Sequence, residues 1–371
     1  MGALEAISAR IEREGAIRFD AFVDLALYGD DGFFGSGAGA GRRADFITSP
    51  ELGPLYGALF ARAIDAEWER LGRPDPFVVI EGGAGRGALA KSILDAGPSC
   101  LPALRYVCVE RSAELRARAA DLLPIEPPEN VFGAVVGGDL DEDRIVTGTG
   151  PVVSVLDDLP LVPVTGMVIA NELLDNLPFR LLHRAGDEWH EVHVDAVDGA
   201  LQELLVVAHP DDAAHATQLA PAAADGARIP LQQEAATWVR RAVETIVRGR
   251  VVLVDYADES PSLASRPWRE WLRTYRNQAR GAGPLDDVGM QDITCEVAID
   301  QLPPGHADRP QAVWLRDLGV DDLAAAARAA WEERAHIGDL EAVRSRSRVG
   351  EADALTDPSG LGAFRVLEWQ R

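Results

Sequence analysis

Apolar runs alternate with helical patterns along much of this chain. Two of these runs, at 77–80 and 105–110, predict buried strands, and the amphipathic segments that follow them, at 88–95 and 112–122, predict helices. Strands that alternate with helices are typical of βαβ units, whose strands lie parallel in one sheet. The pattern therefore predicts an α/β fold with a doubly wound, mostly parallel sheet. Further buried strands are predicted at 166–170 and 251–256.

The N-terminal region has a different pattern, which predicts helices followed by a glycine-rich loop. The chain starts as an amphipathic helix, and Asp20 is predicted to cap a short helix that ends near Tyr28. Residues 32–41 are too rich in glycine to hold regular structure unaided. Two aromatic residues in this loop, Phe33 and Phe34, fit either a lid over a site or a linker pinned to the core.

Later segments predict an insertion and a mixed C-terminal part. The remaining predicted elements are a helix that begins at 48–51 and runs to Gly72, hairpins over 180–206, an alanine- and aspartate-rich excursion at 207–228, a helix over 231–248, short strands near 292–299, 311–316 and 364–369, and a helix across 321–335. We therefore predict an N-terminal helical segment with a glycine-rich lid loop at 1–75, followed by one domain at 76–371 with an insertion at about 180–248.

A glycine-rich turn follows the first predicted strand of the sheet. Glu81 ends the strand, and Gly83, Gly85 and Gly87 then occupy alternate positions. Dinucleotide-binding folds use the different spacing G-x-G-x-x-G. The spacing found here, with its preceding acid, resembles the first motif of class I S-adenosylmethionine (AdoMet) methyltransferases. An ordinary connection between a strand and a helix that needs positive φ is the alternative.

A second acid supports a cofactor that carries a ribose. Glu110 ends the next predicted strand, 23 residues past Gly87. In sheets of this kind an acid about 20 residues after the glycines accepts hydrogen bonds from ribose hydroxyls. AdoMet and NAD both contain this ribose, so Glu110 does not distinguish them. An NAD-dependent oxidoreductase is disfavoured by the glycine spacing and by the lack of a Tyr-x-x-x-Lys motif, since Lys91 is the only lysine.

Charge and composition exclude several classes of function. The chain has 371 residues, 47% of them hydrophobic, and a formal net charge of −24. Such a charge repels phosphate backbones and anionic membranes, so we expect neither nucleic acid nor membrane as a partner. No apolar stretch approaches the roughly 18 residues of a membrane span, and the N-terminus lacks a secretory layout. We therefore expect a cytoplasmic protein.

The cysteines do not form a metal-binding pattern. Cys100, Cys108 and Cys295 show no C-x-x-C spacing, and three cysteines cannot all pair. This usage is typical of a reducing compartment and argues against structural zinc. We expect no metal site.

Six motifs in order resemble those of the MidA-type family, the bacterial and mitochondrial class I methyltransferase-like proteins that include a complex I assembly factor. The resemblance covers nearly the whole chain, and it rests on Asp45-Phe46-Ile47-Thr48-Ser49-Pro50-Glu51, Glu81 to Gly87, Asn171 to Pro178, Asp255-Tyr256, Asp292-Ile293-Thr294 and Asp357 to Leu367. It implies a seven-stranded, Rossmann-like methyltransferase fold, AdoMet as the cofactor and methylation of protein arginine.

Some positions depart from the family pattern. Ala44, Gly82, Ala84 and Ala257 replace usual family residues, and the segment 273–278 lacks the histidine that the pattern leads us to expect. A non-catalytic, AdoMet-binding assembly factor that acts through protein contacts therefore stays open as an alternative to an enzyme.

The resemblance also implies roles for individual residues. Glu81, Gly83, Gly85 and Gly87 are expected at the amino-acid moiety of AdoMet, Glu110 at its ribose, and Asp157 or Asp158 at its adenine. For either aspartate, capping of the next turn is an equal alternative.

The methyl acceptor is expected to lie near Asn171, Glu172 and Asp175. If Glu172 and Asp175 share a helical turn, they are i, i+3 neighbours and can bind a guanidinium; capping of the following helix is the alternative. Four residues are expected to close over the site or simply to begin a helix: Asp45, Thr48, Ser49 and Glu51. The expected partner is a basic or arginine-containing protein, and a homodimer stays open.

Overall fold

The computed structural model describes residues 2–36, 49–133, 147–276 and 279–371, without the side chain of Glu51. Its α-helices are α1 Ala3–Glu14, α2 Phe19–Tyr28, α3 Ser49–Leu52, α4 Pro54–Arg70, α5 Ala88–Ala96, α6 Ala113–Ala119, α7 Glu129–Phe132, α8 Pro210–Leu219, α9 Gln233–Thr245, α10 Ser260–Ser265, α11 Gln311–Asp317, α12 Val320–Arg334 and α13 Leu340–Thr356.

The strands are β1 Ile17–Arg18, β2 Phe77–Gly82, β3 Leu104–Val109, β4 Val152–Leu156, β5 Val164–Asn171, β6 Arg180–Ala185, β7 Glu188–Val197, β8 Ala200–Val207, β9 Arg228–Leu231, β10 Ile246–Asp255, β11 Ala257–Asp258, β12 Leu272–Arg276, β13 Ala279–Arg280, β14 Asp292–Cys295, β15 Val297–Ala298, β16 Ala307–Pro310 and β17 Arg365–Gln370.

The chain divides into two compact units, each built from three separate segments. The first unit comprises 1–46, 172–240 and 255–304, and the second comprises 47–171, 241–254 and 305–371. The predicted domains were instead continuous in sequence. Within the described ranges, no helix is both long and apolar enough to cross a bilayer.

The second unit contains the predicted central sheet. Its seven strands lie in the order β16-β17-β10-β5-β2-β3-β4. The strands from β10 to β4 pair in parallel, and β16 pairs with β17 in antiparallel orientation. β2 and β3 are buried along their whole length, as expected for central strands covered on both faces. The predicted α/β fold with a mostly parallel seven-stranded sheet is confirmed.

The first unit contains an antiparallel sheet, which forms from the predicted hairpins. β6, β7 and β8 pair in sequence, while β1 and β9 add to β7 and β6. The core of this unit includes Ile7, Phe22, Phe179 and Trp271, which are almost completely buried. Apolar residues of α1 and α2 contribute to it together with one face of the sheet.

The aromatic residues of the glycine-rich segment are bound to this core. Phe33 is buried, and the N–H groups of Phe33 and Phe34 donate to the carbonyls of Ala26 and Leu27 at 2.9 and 2.8 Å. They therefore act as a pinned linker in the part of the segment that is described. The rest of the predicted lid loop, at 37–41, lies outside the described residues.

A short helix, α3, and a long helix, α4, replace the single helix predicted from Thr48 to Gly72. The interruption falls at Gly53, where a Cβ atom would lie 2.2 Å from Cδ of Glu351. The Glu351 carboxylate accepts the Leu55 N–H at 3.0 Å and so satisfies a donor in the first turn of α4. The helix thus begins at Pro54, a residue favoured at the first helical position, and a carboxylate from a distant helix caps its first turn.

The predicted cap at Asp20 is wrong, because α2 begins one residue earlier, at Phe19. The N-cap is Arg18, and the Asp20 carboxylate accepts hydrogen bonds from its guanidinium at 2.7 Å and from the Ala21 N–H at 2.8 Å. Acids are favoured both at caps and in the first turn, so the residue type did not distinguish the two positions.

The strand predicted at 311–316 is wrong, since this segment forms α11. Ala312, Trp314 and Leu315 are buried there, whereas Val313 is exposed. Short apolar runs fit either a strand or a helix, and tertiary packing decided between them. Other helices also occupy segments for which no helix was predicted: α8 lies within the excursion at 207–228, α13 follows α12, and α7 and α10 are short helices in connecting segments.

Candidate active site

The order of the central sheet reverses beside β2. From β2 the chain adds β3 and β4 on one side and then returns to place β5 on the other side. Open α/β sheets bind ligands at the carboxyl ends of the strands at such a reversal. The register pairs Gly82 with Ala170, so the glycine turn after β2 and Asn171 at the end of β5 both lie at this point.

The glycine turn uses conformations that other residues rarely adopt. Gly83, Gly85 and Gly87 have φ angles of 67°, 54° and 82°. A Cβ atom on Gly85 would meet no atom within 4 Å, so open space adjoins its backbone. Gly87 is the N-cap of α5, and helix N-termini favour negatively charged groups. The turn can therefore admit a ligand close to its backbone.

Glu110 holds the turn in place. One carboxylate oxygen accepts the Gly85 N–H at 2.9 Å, and the other accepts the Ser112 N–H at 2.7 Å. Burial raises the pKa of Glu110, and these two hydrogen bonds oppose that increase. An ionised carboxylate has about four acceptor sites. The Arg111 N–H also donates to this carboxylate, so about one acceptor site stays available for a ribose hydroxyl predicted at this position.

Glu81 is buried behind the turn. Its carboxylate accepts the hydroxyl of Tyr106 at 2.6 Å and also the backbone N–H of Ala90, in the first turn of α5. Burial raises the pKa of Glu81 to about 7, although the hydrogen bond from Tyr106 acts in the opposite direction. Glu81 thus joins β2, β3 and α5 beneath the glycine turn.

The two candidate aspartates after β4 differ in their contacts. Both are exposed, but the Asp158 carboxylate accepts hydrogen bonds from the Arg241 guanidinium and from the Leu159 N–H, each at 2.8 Å. These bonds engage Asp158 in the fold. Asp157 is therefore the stronger candidate for a contact with adenine, and both assignments stay predictions.

The first unit contains a separate group of buried carboxylates. Asp175 and Asp255 are only 3% and 2% exposed. Asp255 accepts the Leu174 N–H at 2.9 Å, while Oδ1 of Asp175 has no hydrogen-bond partner in the part of the chain that the structure describes. A buried acceptor without a donor is unfavourable by about 1–3 kcal/mol. The group is thus suited to a ligand that supplies hydrogen-bond donors.

Burial and mutual repulsion raise the pKa values of this group. Burial raises the pKa of Asp175 to about 7, and the positive charge of Arg273 is among the opposing influences. Burial, followed by the charges of Asp175 and Glu172, raises the pKa of Asp255 well above its usual value. A bound cation would relieve this repulsion.

Glu172 and Asp175 do not share a helical turn, which was the condition for their being i, i+3 neighbours. Glu172 has a φ of 52°, and the 3₁₀ turn begins only at Leu174. The negative charges of Glu172 and Asp175 instead both raise the pKa of Asp255. The two carboxylates are therefore connected through their interaction with Asp255. Positive φ at a residue other than glycine is unfavourable by about 1–3 kcal/mol and is often found at functional sites.

The predicted closing residues are only partly described. Asp45 and Thr48 lie outside the described residues. Ser49 is fully buried at the first position of α3, and Glu51 follows in the same helix. The Ser-Pro-Glu sequence therefore does begin a helix, while a role over the site stays a prediction.

The described side chains contain no group of three or more His, Cys, Asp or Glu residues that could hold a metal ion. Cys100, Cys108 and Cys295 are buried and not joined in disulfides.

Comparison with known families decides the class of this protein. The family model Methyltransf_28, which describes S-adenosyl-L-methionine-dependent methyltransferases, matches residues 59–305. The chain belongs to this family. The match includes the glycine turn, Glu110 and the buried carboxylates, so the family assignment covers the main predicted site residues.

Individual proteins similar to this methyltransferase have more specific names. The Caenorhabditis elegans protein arginine methyltransferase NDUFAF7 homolog, mitochondrial, is 28% identical over 301 residues, which are 76% of this chain and 66% of that protein. Human protein arginine methyltransferase NDUFAF7, mitochondrial, is 31% identical over 178 residues, which are 46% of this chain and 39% of that protein. The aligned part thus spans between 39% and 66% of these relatives. They are named as mitochondrial, and the expected cytoplasmic location stays a prediction.

A solved structure matches the whole methyltransferase chain. It is a COG1565 superfamily member from Burkholderia thailandensis in complex with S-adenosylhomocysteine (AdoHcy), with a TM-score of 0.79 and 25% identity. The match covers 100% of this chain and 92% of that chain. The predicted methyltransferase fold and cofactor class are confirmed.

Sequence reasoning did not assign site roles to three residues of this methyltransferase. Asp255 was noted only as part of a motif, although an acid at the end of a buried parallel strand is a usable signal. Tyr106, which holds Glu81, and Tyr56, which donates its hydroxyl to Asn171 at 2.6 Å, carry no signal in the sequence pattern. Both are buried, and only the fold places them beside polar partners.

Proposed function

We propose that this methyltransferase transfers the methyl group of AdoMet to an arginine side chain of a protein. The choice of acceptor rests on the buried carboxylate of Asp175, whose Oδ1 atom lacks a hydrogen-bond donor within the described ranges. The charge of Asp175 also raises the pKa of the buried Asp255. The names of the relatives from Caenorhabditis elegans and human support the same acceptor.

The residues of the second unit fit AdoMet, whose methyl carbon a nucleophile can attack in line, with AdoHcy as the leaving group. The open space beside Gly85 admits the body of the molecule, and Glu110 retains acceptor capacity for a ribose hydroxyl. The glycine turn and Glu81 would hold the amino-acid portion. Asp157 would contact the adenine, because Asp158 is bonded to Arg241.

The residues of the first unit fit a guanidinium. This group has five N–H donors and no acceptor, and it keeps its positive charge because its pKa exceeds 12. A guanidinium would provide a donor to Oδ1 of Asp175, and its charge would favour the ionised forms of Asp175 and Asp255. Charge-assisted hydrogen bonds of this kind also orient the group.

Methylation requires the attacking guanidinium nitrogen to give up one proton. We assign acceptance of this proton to Oδ1 of Asp175. The pKa of Asp175, raised by burial to about 7, lies near physiological pH, where a general base is most effective. A fully exposed aspartate would be a weaker base. The backbone N–H groups of Asp175 and Asn176, and then the charge of Arg273, oppose this increase in the pKa.

The test is methyl transfer to arginine-containing peptides in the presence of AdoMet, followed by mass spectrometry for the added methyl group. Peptides with lysine in place of arginine serve as the acceptor control. Asp175→Asn should lower turnover by about 10²–10⁴-fold, the usual contribution of a general base, and should leave AdoHcy affinity unchanged. Asp187→Asn, on a fully exposed loop residue, is the matched control. Full turnover by Asp175→Asn would make this carboxylate structural.

The assembly-factor alternative is tested with the same protein. Incubation with labelled AdoMet and a cell extract should label a protein if the chain is an enzyme, whereas an assembly factor would bind the cofactor and label nothing. The net charge of −24 supports encounter with a basic protein substrate.

A further inference from the structure

A buried tyrosine holds the side chain of Asn171 at the carboxyl end of β5. Tyr56 lies on α4 and is fully buried. Its hydroxyl oxygen is 2.6 Å from Oδ1 of Asn171 and 3.2 Å from Oε1 of Gln311. A tyrosine hydroxyl has one proton, so it cannot donate to both oxygens at once.

The amide orientation of Gln311 is determined by other contacts. Its Nε2 atom donates to the carbonyls of Leu355 and Leu361 at 3.3 and 3.0 Å, which uses both amide protons. A flipped amide would point its oxygen at two carbonyl oxygens and is therefore unfavourable. Oε1 of Gln311 must consequently face Tyr56 as an acceptor.

The two distances decide which oxygen receives the tyrosine proton. O–H···O hydrogen bonds span about 2.5–3.0 Å, and N–H···O bonds begin near 2.7 Å. The contact of 2.6 Å between Tyr56 and Asn171 fits an O–H donor and an oxygen acceptor, while the contact of 3.2 Å with Gln311 is too long. Tyr56 therefore donates to Oδ1 of Asn171, and the Nδ2 donor of Asn171 is directed away from Tyr56.

An amide donor at this place has a restricted choice of ligand. A guanidinium has only donors, so Nδ2 of Asn171 cannot hydrogen-bond to it. AdoMet has a carboxylate in its methionine portion, and this group has only acceptors. The register of Gly82 with Ala170 puts Asn171 level with Gly83, the residue that begins the glycine turn after the neighbouring strand. The methionine portion is the part of AdoMet assigned to that turn.

We propose that Tyr56 is a positioning residue that sets Asn171 as a hydrogen-bond donor to the methionine carboxylate of AdoMet. This inference rests on the proposed function, because it presumes that AdoMet binds at the glycine turn. It assigns Asn171 to a contact with the methyl donor, AdoMet, whereas the sequence analysis assigned it to the methyl acceptor. Glu172 and Asp175 keep their assignment to the acceptor.

The experiment compares two ligands that differ in the group in question. AdoHcy carries the carboxylate, and 5′-methylthioadenosine retains the nucleoside and thioether but lacks the whole amino-acid portion. Affinities of both for wild type, Tyr56→Phe and Asn171→Leu are measured by calorimetry. Tyr28→Phe is the matched control, since it removes a hydroxyl that donates to the Asn176 carbonyl at 3.2 Å in the first unit.

The expected result is a loss confined to AdoHcy. Asn171→Leu removes a hydrogen bond to a charged group and should weaken AdoHcy by about ten- to hundredfold. Tyr56→Phe keeps the ring that packs edge-on to Phe60 at 5.0 Å, and it should weaken AdoHcy by about three- to tenfold because Asn171 can then rotate. Neither variant should change the affinity for 5′-methylthioadenosine, and Tyr28→Phe should change neither affinity.

Different failures have different meanings. Equal weakening of both ligands, or unchanged AdoHcy affinity in Asn171→Leu, would overturn this inference and leave the proposed function standing. A wild-type protein that binds neither ligand would overturn the proposed function and this inference with it. If Tyr56→Phe does not fold, Asn171→Leu alone decides.

Discussion

Glu110 is predicted to serve both the glycine turn and the cofactor, and Glu110→Gln separates these roles. The substitution keeps the size of the side chain and replaces one oxygen with an amide nitrogen. The two carboxylate oxygens of Glu110 accept the N–H groups of Gly85 and Ser112. In the glutamine variant, the side-chain NH₂ group faces one of these N–H groups, so that hydrogen bond is lost. The substitution also removes one of the oxygens assigned to the ribose.

The magnitude follows from the number of hydrogen bonds lost. A hydrogen bond to a charged acceptor contributes about 1.5–3 kcal/mol. One such bond is lost in the turn, and the loss is reduced because burial already disfavours the charged form of Glu110. We expect the free energy of unfolding to fall by about 1–2 kcal/mol and AdoHcy to bind about ten- to hundredfold more weakly.

Urea denaturation measures the first effect, and isothermal calorimetry with AdoHcy measures the second. Glu114→Gln is the matched control, since Glu114 is exposed and forms only an i, i+4 ion pair with Arg118 at 3.0 Å. It should change stability by no more than about 0.5 kcal/mol and leave AdoHcy affinity unchanged. Unchanged AdoHcy affinity in Glu110→Gln would refute the ribose assignment, whatever happens to stability.

Four further substitutions test the remaining assignments. Gly85→Val should abolish AdoHcy binding in calorimetry and lower the free energy of unfolding by about 1–3 kcal/mol, because it fills the open space at a φ of 54°; retained affinity would show that the ligand does not use this space. Asp157→Asn should weaken AdoHcy binding severalfold. Asp158→Asn should leave AdoHcy affinity unchanged and lower the free energy of unfolding by less than about 1 kcal/mol, because it breaks only an exposed ion pair with Arg241. If Asp158→Asn weakened AdoHcy binding and Asp157→Asn did not, the roles of the two aspartates would be exchanged. Asp175 has a pKa raised from 3.8 to about 7, so its stabilising contribution is complete below pH 4 and is lost as pH rises through about 7. Urea denaturation between pH 5 and 8 should therefore show a smaller decline for Asp175→Asn than for wild type, and parallel curves would contradict the raised pKa.

Much of the central sheet and the cofactor side of the site could be predicted because their signals are local. Buried strands such as β2 and β5 are short apolar runs, and alternate glycines after a strand indicate positive φ. Serine at position 112 is another local signal for a helix start, since its hydroxyl accepts the Leu115 N–H and caps α6. The interruption at Gly53 does have a local signal that the prediction overlooked, because Pro54 begins α4 and disfavours a helical conformation at the residue before it. The hydrogen bond from the Leu55 N–H to the Glu351 carboxylate could not be predicted, because Glu351 lies far along the chain.

The sequence by itself determined the alternation of strands and helices, the glycine turn and the acids that end the strands, since these depend on backbone preference and periodicity within a few residues. Only the tertiary structure decided that Glu172 and Asp175 interact through Asp255 and not through a shared helical turn. It also decided that Tyr56 donates a hydrogen bond to Asn171, and Tyr106 to Glu81. These relations join residues up to 115 positions apart. Hydrogen bonds, burial and the resulting pKa shifts depend on distances in space, which local patterns do not specify.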